Sequence, residues 1–234
     1  MQMSWALITG GARNIGAGIS LALAREGYHV IVHYKNSQKE AEAVVEACRN
    51  QGVLAESLYG DFSTREGLAL FTQKLLERFP SIKVLINNVG NFVVKSALDT
   101  TPEEWRDLYQ TNFQTPLTLI HVLIPSIRRQ QGCIINIGAA GLSLKAETFS
   151  TAYTATKMSL LILTKALAKE LASAHVRVNM VSPGQLVESM VKSKIPMGRY
   201  GEVDDVVRVV LFLLNEANSY ITGQNIEVAG GFGL

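Results

Sequence analysis

The sequence predicts an α/β fold in which a doubly wound parallel sheet carries helices on both faces. Three observations carry the prediction. Short β-branched apolar runs alternate with longer amphipathic runs from end to end. The strand-like runs are almost continuously apolar, as suits strands buried on both faces. Polar residues and glycines gather just after those runs, at the strand ends where such sheets bind ligands.

Each element can be argued in order. "WALIT" (5–9) reads as a strand, and a helix follows from about Ile15 to Glu26, closed by Gly27. "HVIVHY" (29–34) is the second strand; "SQKEAEAVVEACRNQG" is a helix with Ser37 as its N-cap and Gly52 past its end. "VLAESLYGD" gives strand three, "REGLALFTQKLLERF" a helix and "IKVLINN" strand four. A long helix is expected around "NFQTPLTLIHVLIPSIRRQ" (112–130), then a strand in "GCIINIG" and a helix in "TAYTATKMSLLILTKALAKELAS". "HVRVNMVSP", "VDDVVRVVLFLLNE" and "GQNIEVAGG" complete the alternation as strand, helix and strand.

Composition narrows the function classes. The 234 residues fit one domain spanning 1–234, and 47% hydrophobic against 18% charged residues argues against disorder. A formal charge of +2, with charges scattered, points away from nucleic acid. No apolar run reaches membrane length and "MQMSWALITGG" has no cationic leader, so no membrane partner and a cytoplasmic location are expected. Cys48 and Cys133 form no CxxC pair, in keeping with a reducing compartment. His29, His33, His121 and His175 lack ligand spacing, so no metal is expected.

"TGGARNIG" (9–16) is the first chemistry-bearing stretch. Gly10, Gly11 and Gly16 between a strand and a helix allow a tight turn and close approach to a pyrophosphate at the helix N-terminus. Asn14 stands where a middle glycine is usual, and asparagine tolerates left-handed backbone better than other side chains. After strand two, "HYKNS" lacks the carboxylate that would hold a ribose 2′-hydroxyl and supplies Lys35 instead. Lys35 and Arg13 suit a 2′-phosphate, which favours NADPH over NADH.

Further motifs follow in order: Asp61 after strand three, "NNVG" (87–90), Asn112, "YTATK" (153–157), "SPG" (182–184) and "PMGRYGEVDDV…YITGQNIEVAGG". With "TGG…IG" they make the chain resemble a classical short-chain dehydrogenase/reductase, nearly end to end and with a single Rossmann domain. The resemblance lies in the branch of 3-oxoacyl-carrier-protein reductases and pteridine reductases. It implies an NADPH site of Gly10, Arg13, Asn14, Ile15, Gly16, Tyr34, Lys35, Asn36, Asp61, Phe62, Asn88, Val89, Gly90, Pro183 and Gly184, with Tyr153 and Lys157 at the nicotinamide end. It implies a homotetramer as well, pairing the helices around 112–130 and 152–173.

Residues i and i+4 share one helix face, so Tyr153 and Lys157 can point together into the crevice. An ammonium beside a phenol lowers its pKa from about 10. The resemblance implies that Tyr153 protonates the developing alkoxide, Lys157 binds the nicotinamide ribose and Asn112 helps to order a relay water. One family member is missing, because Ala139 stands where a serine usually hydrogen-bonds the substrate carbonyl. Ser143, Thr148 and Ser150 follow in the next loop as substitutes.

Ala139 leaves three readings open. The first is a reductase of a 3-oxoacyl thioester or small ketone, with the acyl group free or carried by a protein. The second is a pteridine or dihydrofolate reductase acting on C=N. Relatives of that kind also lack the serine, and place an aromatic residue where Phe92 stands to stack on the pterin. Their serine is typically replaced by aspartate, however, not alanine. The third is a catalytically weak NADP(H)-binding protein.

Overall fold

The computed structural model describes residues 4–142, 148–189 and 194–232. Among these residues seven strands, β1 (Trp5–Ile8), β2 (His29–Tyr34), β3 (Ala55–Tyr59), β4 (Ile82–Asn87), β5 (Cys133–Ile137), β6 (Arg177–Pro183) and β7 (Asn225–Val228), form one sheet. Its order is β3-β2-β1-β4-β5-β6-β7 and every pairing is parallel. The order reverses between β1 and β4, so a crevice opens beyond their carboxyl ends, the place where open parallel sheets bind ligands.

Among the described residues there are seven α-helices, α1 (Asn14–Arg25), α2 (Gln38–Arg49), α3 (Arg65–Arg78), α4 (Pro102–Tyr109), α5 (Thr115–Arg129), α6 (Thr151–Leu171) and α7 (Val203–Leu214); all but α4, which packs on α6, lie against the sheet. Alternation along each strand sends side chains to two cores. Ala6, Ile8, Val30 and Ile86 meet α1, α2 and α7 on one face. Leu7, Ile31, Leu85 and Ile134 meet α3, α5 and α6 on the other. Burying each such side chain stabilises the fold by roughly 1.5–3 kcal/mol before entropy is counted. Among the described residues no helix is long and apolar enough to cross a membrane, and no cluster of His, Cys, Asp and Glu could hold a metal.

Between β4 and β5 the structure departs from the sequence reading. In place of one helix over 112–130 stand α4, a single π-helical turn at 110–114, and α5 from Thr115. The signal for α4 was present: Thr101 and Glu104 form a reciprocal capping box, and Pro102 fills the first helical turn. Pro116 explains the widened turn, because it has no N–H to offer the carbonyl four residues earlier, that of Asn112. The Thr115 backbone N–H and hydroxyl both donate to the Gln110 carbonyl instead.

Candidate active site

The glycine turn is built by β1, β4 and α1 together. Gly10 (φ 61°) and Asn14 (φ 48°) both occupy the left-handed region, as the sequence expects of Asn14. A Cβ on Gly16 would stand 2.1 Å from the Gly10 carbonyl oxygen, so only glycine lets the helix start touch the turn. Thr9 Oγ1 accepts from the Asn88 and Val89 amides at 2.8 and 3.0 Å, and Asn88 Nδ2 donates to the Thr9 carbonyl at 2.9 Å. Arg13 caps α1 without a side-chain bond to its first amides, and Asn14 and Ile15 open the helix. A helix start with no capping side chain, behind a cradle that a Cβ would fill, fits a pyrophosphate.

Gly10, Arg13, Tyr34, Lys35, Asn36, Phe62 and Val89 line one cleft of about 290 Å³ beyond β1, β2 and β3. His33, Ser37, Ser63, Asn91 and Thr111 line it too, and the sequence reading gave them no cofactor role. The basic residues are not free. Lys35 Nζ lies 2.7 Å from Asp61 Oδ1 and donates to Ser63 Oγ at 3.0 Å. Bonds from Lys35 and Ser63 hold the Asp61 carboxyl down to about 2. Arg13 donates to Ser37 Oγ and stands 3.8 Å from Glu40. Ser37 is the N-cap of α2, as the sequence reading has it, but its hydroxyl serves Arg13 and makes no side-chain cap bond to the helix.

Tyr153, Lys157, Asn112, Gly90 and Phe92 form a second centre that does not line this cleft. Asn91 joins the two, lining the cleft while its amide donates to Asn112 Oδ1 at 2.8 Å. Lys157 Nζ donates to the Ile137 carbonyl at 2.8 Å and is 5.8 Å from the Tyr153 ring centroid. Gly90 lies close beside it: a Cβ there would stand 3.3 Å from Nζ, a tight contact to which the lysine end would have to yield. Burial lowers Lys157 to about 8 and pushes the Tyr153 phenol up to about 12. The sequence reading has the ammonium lower the phenol; in the structure burial sets the direction and the lysine is bonded to backbone.

Asn112 is fully buried and its amide is spent on protein. Nδ2 donates to the Asn91 carbonyl and to Thr156 Oγ1, both at 3.0 Å. The Thr156 hydroxyl in turn donates to the Tyr153 carbonyl at 2.7 Å. The side chain therefore clamps the loop after β4 to α6.

On the substrate side, Phe92 stands edge-on to Tyr153, with ring centroids 4.7 Å apart at 86°. Ala139 is half-buried in the loop after β5. That loop is pinned by Ala140 N–H to the Pro183 carbonyl (2.9 Å) and by Gly141 N–H to the Glu227 carboxylate (3.1 and 3.2 Å). Gly184 N–H bonds the Val228 carbonyl at 2.9 Å, fixing the end of β6. Thr148 is exposed, and Ser150 precedes α6 with a backbone bridge to Lys95. Ser143 and residues 190–193 of the loop after Gly184 lie outside the described residues.

Comparison with known proteins finds relatives and solved structures similar to this chain over nearly its whole length. A family model described as enoyl-(acyl carrier protein) reductase matches residues 10–233. The 3-oxoacyl-[acyl-carrier-protein] reductase FabG of Staphylococcus epidermidis is 36% identical over 242 residues, covering 97% of each chain. Among solved structures, acetoin dehydrogenase YohF from Salmonella typhimurium superposes with a TM-score of 0.92 at 28% identity, covering 99% of this chain and 96% of the other. A blue fluorescent protein from a metagenomic library, in complex with NADPH, gives a TM-score of 0.92 at 28% identity, covering 99% and 98%.

Proposed function

Because this chain belongs to the short-chain dehydrogenase/reductase family of oxidoreductases, we propose that it is an NADPH-dependent reductase of a 3-oxoacyl thioester, with the acyl group free or on a carrier protein. The observation that carries the reading is the placing of Tyr153 and Lys157 on one face of α6, against the Ile137 carbonyl and beside Gly90. The FabG relative, similar over nearly its whole length, supports the thioester.

NADPH would supply the hydride. Gly10, Gly16 and the start of α1 would hold its pyrophosphate, and Arg13 and Lys35 its 2′-phosphate. Lys157 would bind the ribose next to the reacting centre. Tyr153, an ordinary phenol acid pushed further up by burial, holds its proton at neutral pH and is the acid that protonates the developing alkoxide. Asn112 and Thr156 hold Tyr153 and the loop after β4 in register. Without a serine at Ala139, the alkoxide is stabilised by Tyr153 with one donor fewer than in the usual site.

A second reading has one favouring observation. Phe92 beside Tyr153, together with Ala139, makes an aromatic wall suited to a flat heterocycle such as a pterin. The test is NADPH absorbance with acetoacetyl thioester, dihydrobiopterin and dihydrofolate in parallel. Oxidation of NADPH by the thioester is expected; turnover confined to the pteridines assigns the second reading, and no turnover with any of them rejects both.

A further inference from the structure

We propose that His33 is a positioning residue for the cofactor: its imidazole locks the glycine turn to the floor of the adenosine cleft. This rests on the reading that the cleft holds NADPH. His33 is the fifth residue of β2 and is buried. Its Nδ1 accepts the Gly10 N–H at 3.0 Å, and its Nε2 stands 3.0 Å from the Gly60 carbonyl oxygen. A carbonyl only accepts, so Nε2 carries the proton and Nδ1 is left with the lone pair that Gly10 needs. Both ring nitrogens are used, and they choose one tautomer.

The ring is fixed in its plane as well. It stacks on Phe62 at 3.9 Å and 5°, with Phe71 edge-on at 5.1 Å. The His33 carbonyl accepts the next amide of the turn, Gly11 N–H, at 3.0 Å. One residue of β2 thereby ties the turn after β1 to the end of β3. Burial lowers the imidazole to about 4, so it stays neutral across the working range. Gly10 is left-handed at φ 61°, and His33 sets where its N–H points before any ligand arrives. A turn ordered in advance costs less to bind.

The consequence falls on cofactor affinity, not on the chemical step. His33→Leu removes both bonds. His33→Asn places a carboxamide oxygen where Nδ1 was, so it can still accept from Gly10. Titration of each folded variant with NADPH and with 2′,5′-ADP reads the effect. His33→Leu should weaken both ligands by about tenfold, and His33→Asn by no more than about threefold. The kcat at saturating NADPH should stay within about twofold, which separates positioning from general damage.

Equal losses in the two variants, or unchanged Kd in His33→Leu, would overturn the proposal. If His33→Leu does not fold, nitrogen NMR of the wild-type imidazole decides. A neutral Nε2–H ring that does not titrate between about pH 5 and 8 is expected, and titration near the ordinary value of about 6.5 would overturn the clamp. Wild-type protein that binds no NADPH would bring down the proposed function instead, whatever the NMR shows.

Discussion

Lys35 Nζ lies 2.7 Å from Asp61 Oδ1, so the cation that follows β2 already holds a carboxylate at the mouth of the cleft. Both side chains are partly exposed, and such pairs stabilise by only about 0–1 kcal/mol. A charge-assisted contact to a 2′-phosphate contributes about 1.5–3 kcal/mol, so the phosphate wins Lys35. NADPH should therefore bind at least about tenfold tighter than NADH. Lys35→Ala should erase most of that ratio, and Asp61→Asn should widen it by removing the competing charge. Fluorescence titration of both cofactors checks this; equal wild-type Kd values for NADPH and NADH would reject the reading.

The pH profile follows from α6. Burial lowers Lys157 from 10.5 to about 8, so its charge is present below about 8 and lost as pH rises through that value. Tyr153, raised from 10.0 to about 12, keeps its proton throughout that window. The alkaline limb of kcat/KM for carbonyl reduction should therefore fall near pH 8, set by Lys157 and not by the phenol. A profile level to about pH 10 would speak against it. Tyr153→Phe should cut kcat by about 10²–10⁴ while NADPH Kd stays within about twofold.

Ala139 separates the two substrate readings. In a ketone reductase, Ala139→Ser adds a donor felt mainly in the transition state and should raise kcat by about tenfold or more. In a pocket for a flat heterocycle the hydroxyl has no alkoxide to meet. There Phe92→Ala should raise KM for a pterin while Ala139→Ser changes little. Steady-state kinetics of both variants on acetoacetyl thioester and dihydrobiopterin decide between them. Unchanged ketone turnover in Ala139→Ser, beside wild-type turnover of dihydrobiopterin, would overturn the preference for a carbonyl.

Assembly is tested separately. Ile162 is 69% exposed and Met158 42% exposed on α6, apolar surface of the kind that packs a helix against a second copy. A homotetramer is expected by light scattering at micromolar concentration. Ile162→Glu should shift it toward smaller species, and a wild-type monomer would refute the assembly.

Hydrophobic period, glycine spacing and the Tyr153–Lys157 interval are properties of the chain read in one dimension. They were enough for the alternation of strands and helices, the parallel sheet, the crevice at the strand ends and the left-handed Asn14. Even α4 is marked in the chain by the Thr101–Glu104 capping box, a short signal beside the longer apolar pattern of α5. Tertiary structure decided the rest. His33 meets Gly10 and Gly60, 23 and 27 residues away, only because β2 lies between β1 and β3. The pairing of Lys35 with Asp61 needs the parallel register of β2 and β3, which brings Tyr34 level with Tyr59. The upward shift of Tyr153 comes from the amount of protein enclosing the phenol, a quantity set by packing in three dimensions that no spacing in the sequence encodes.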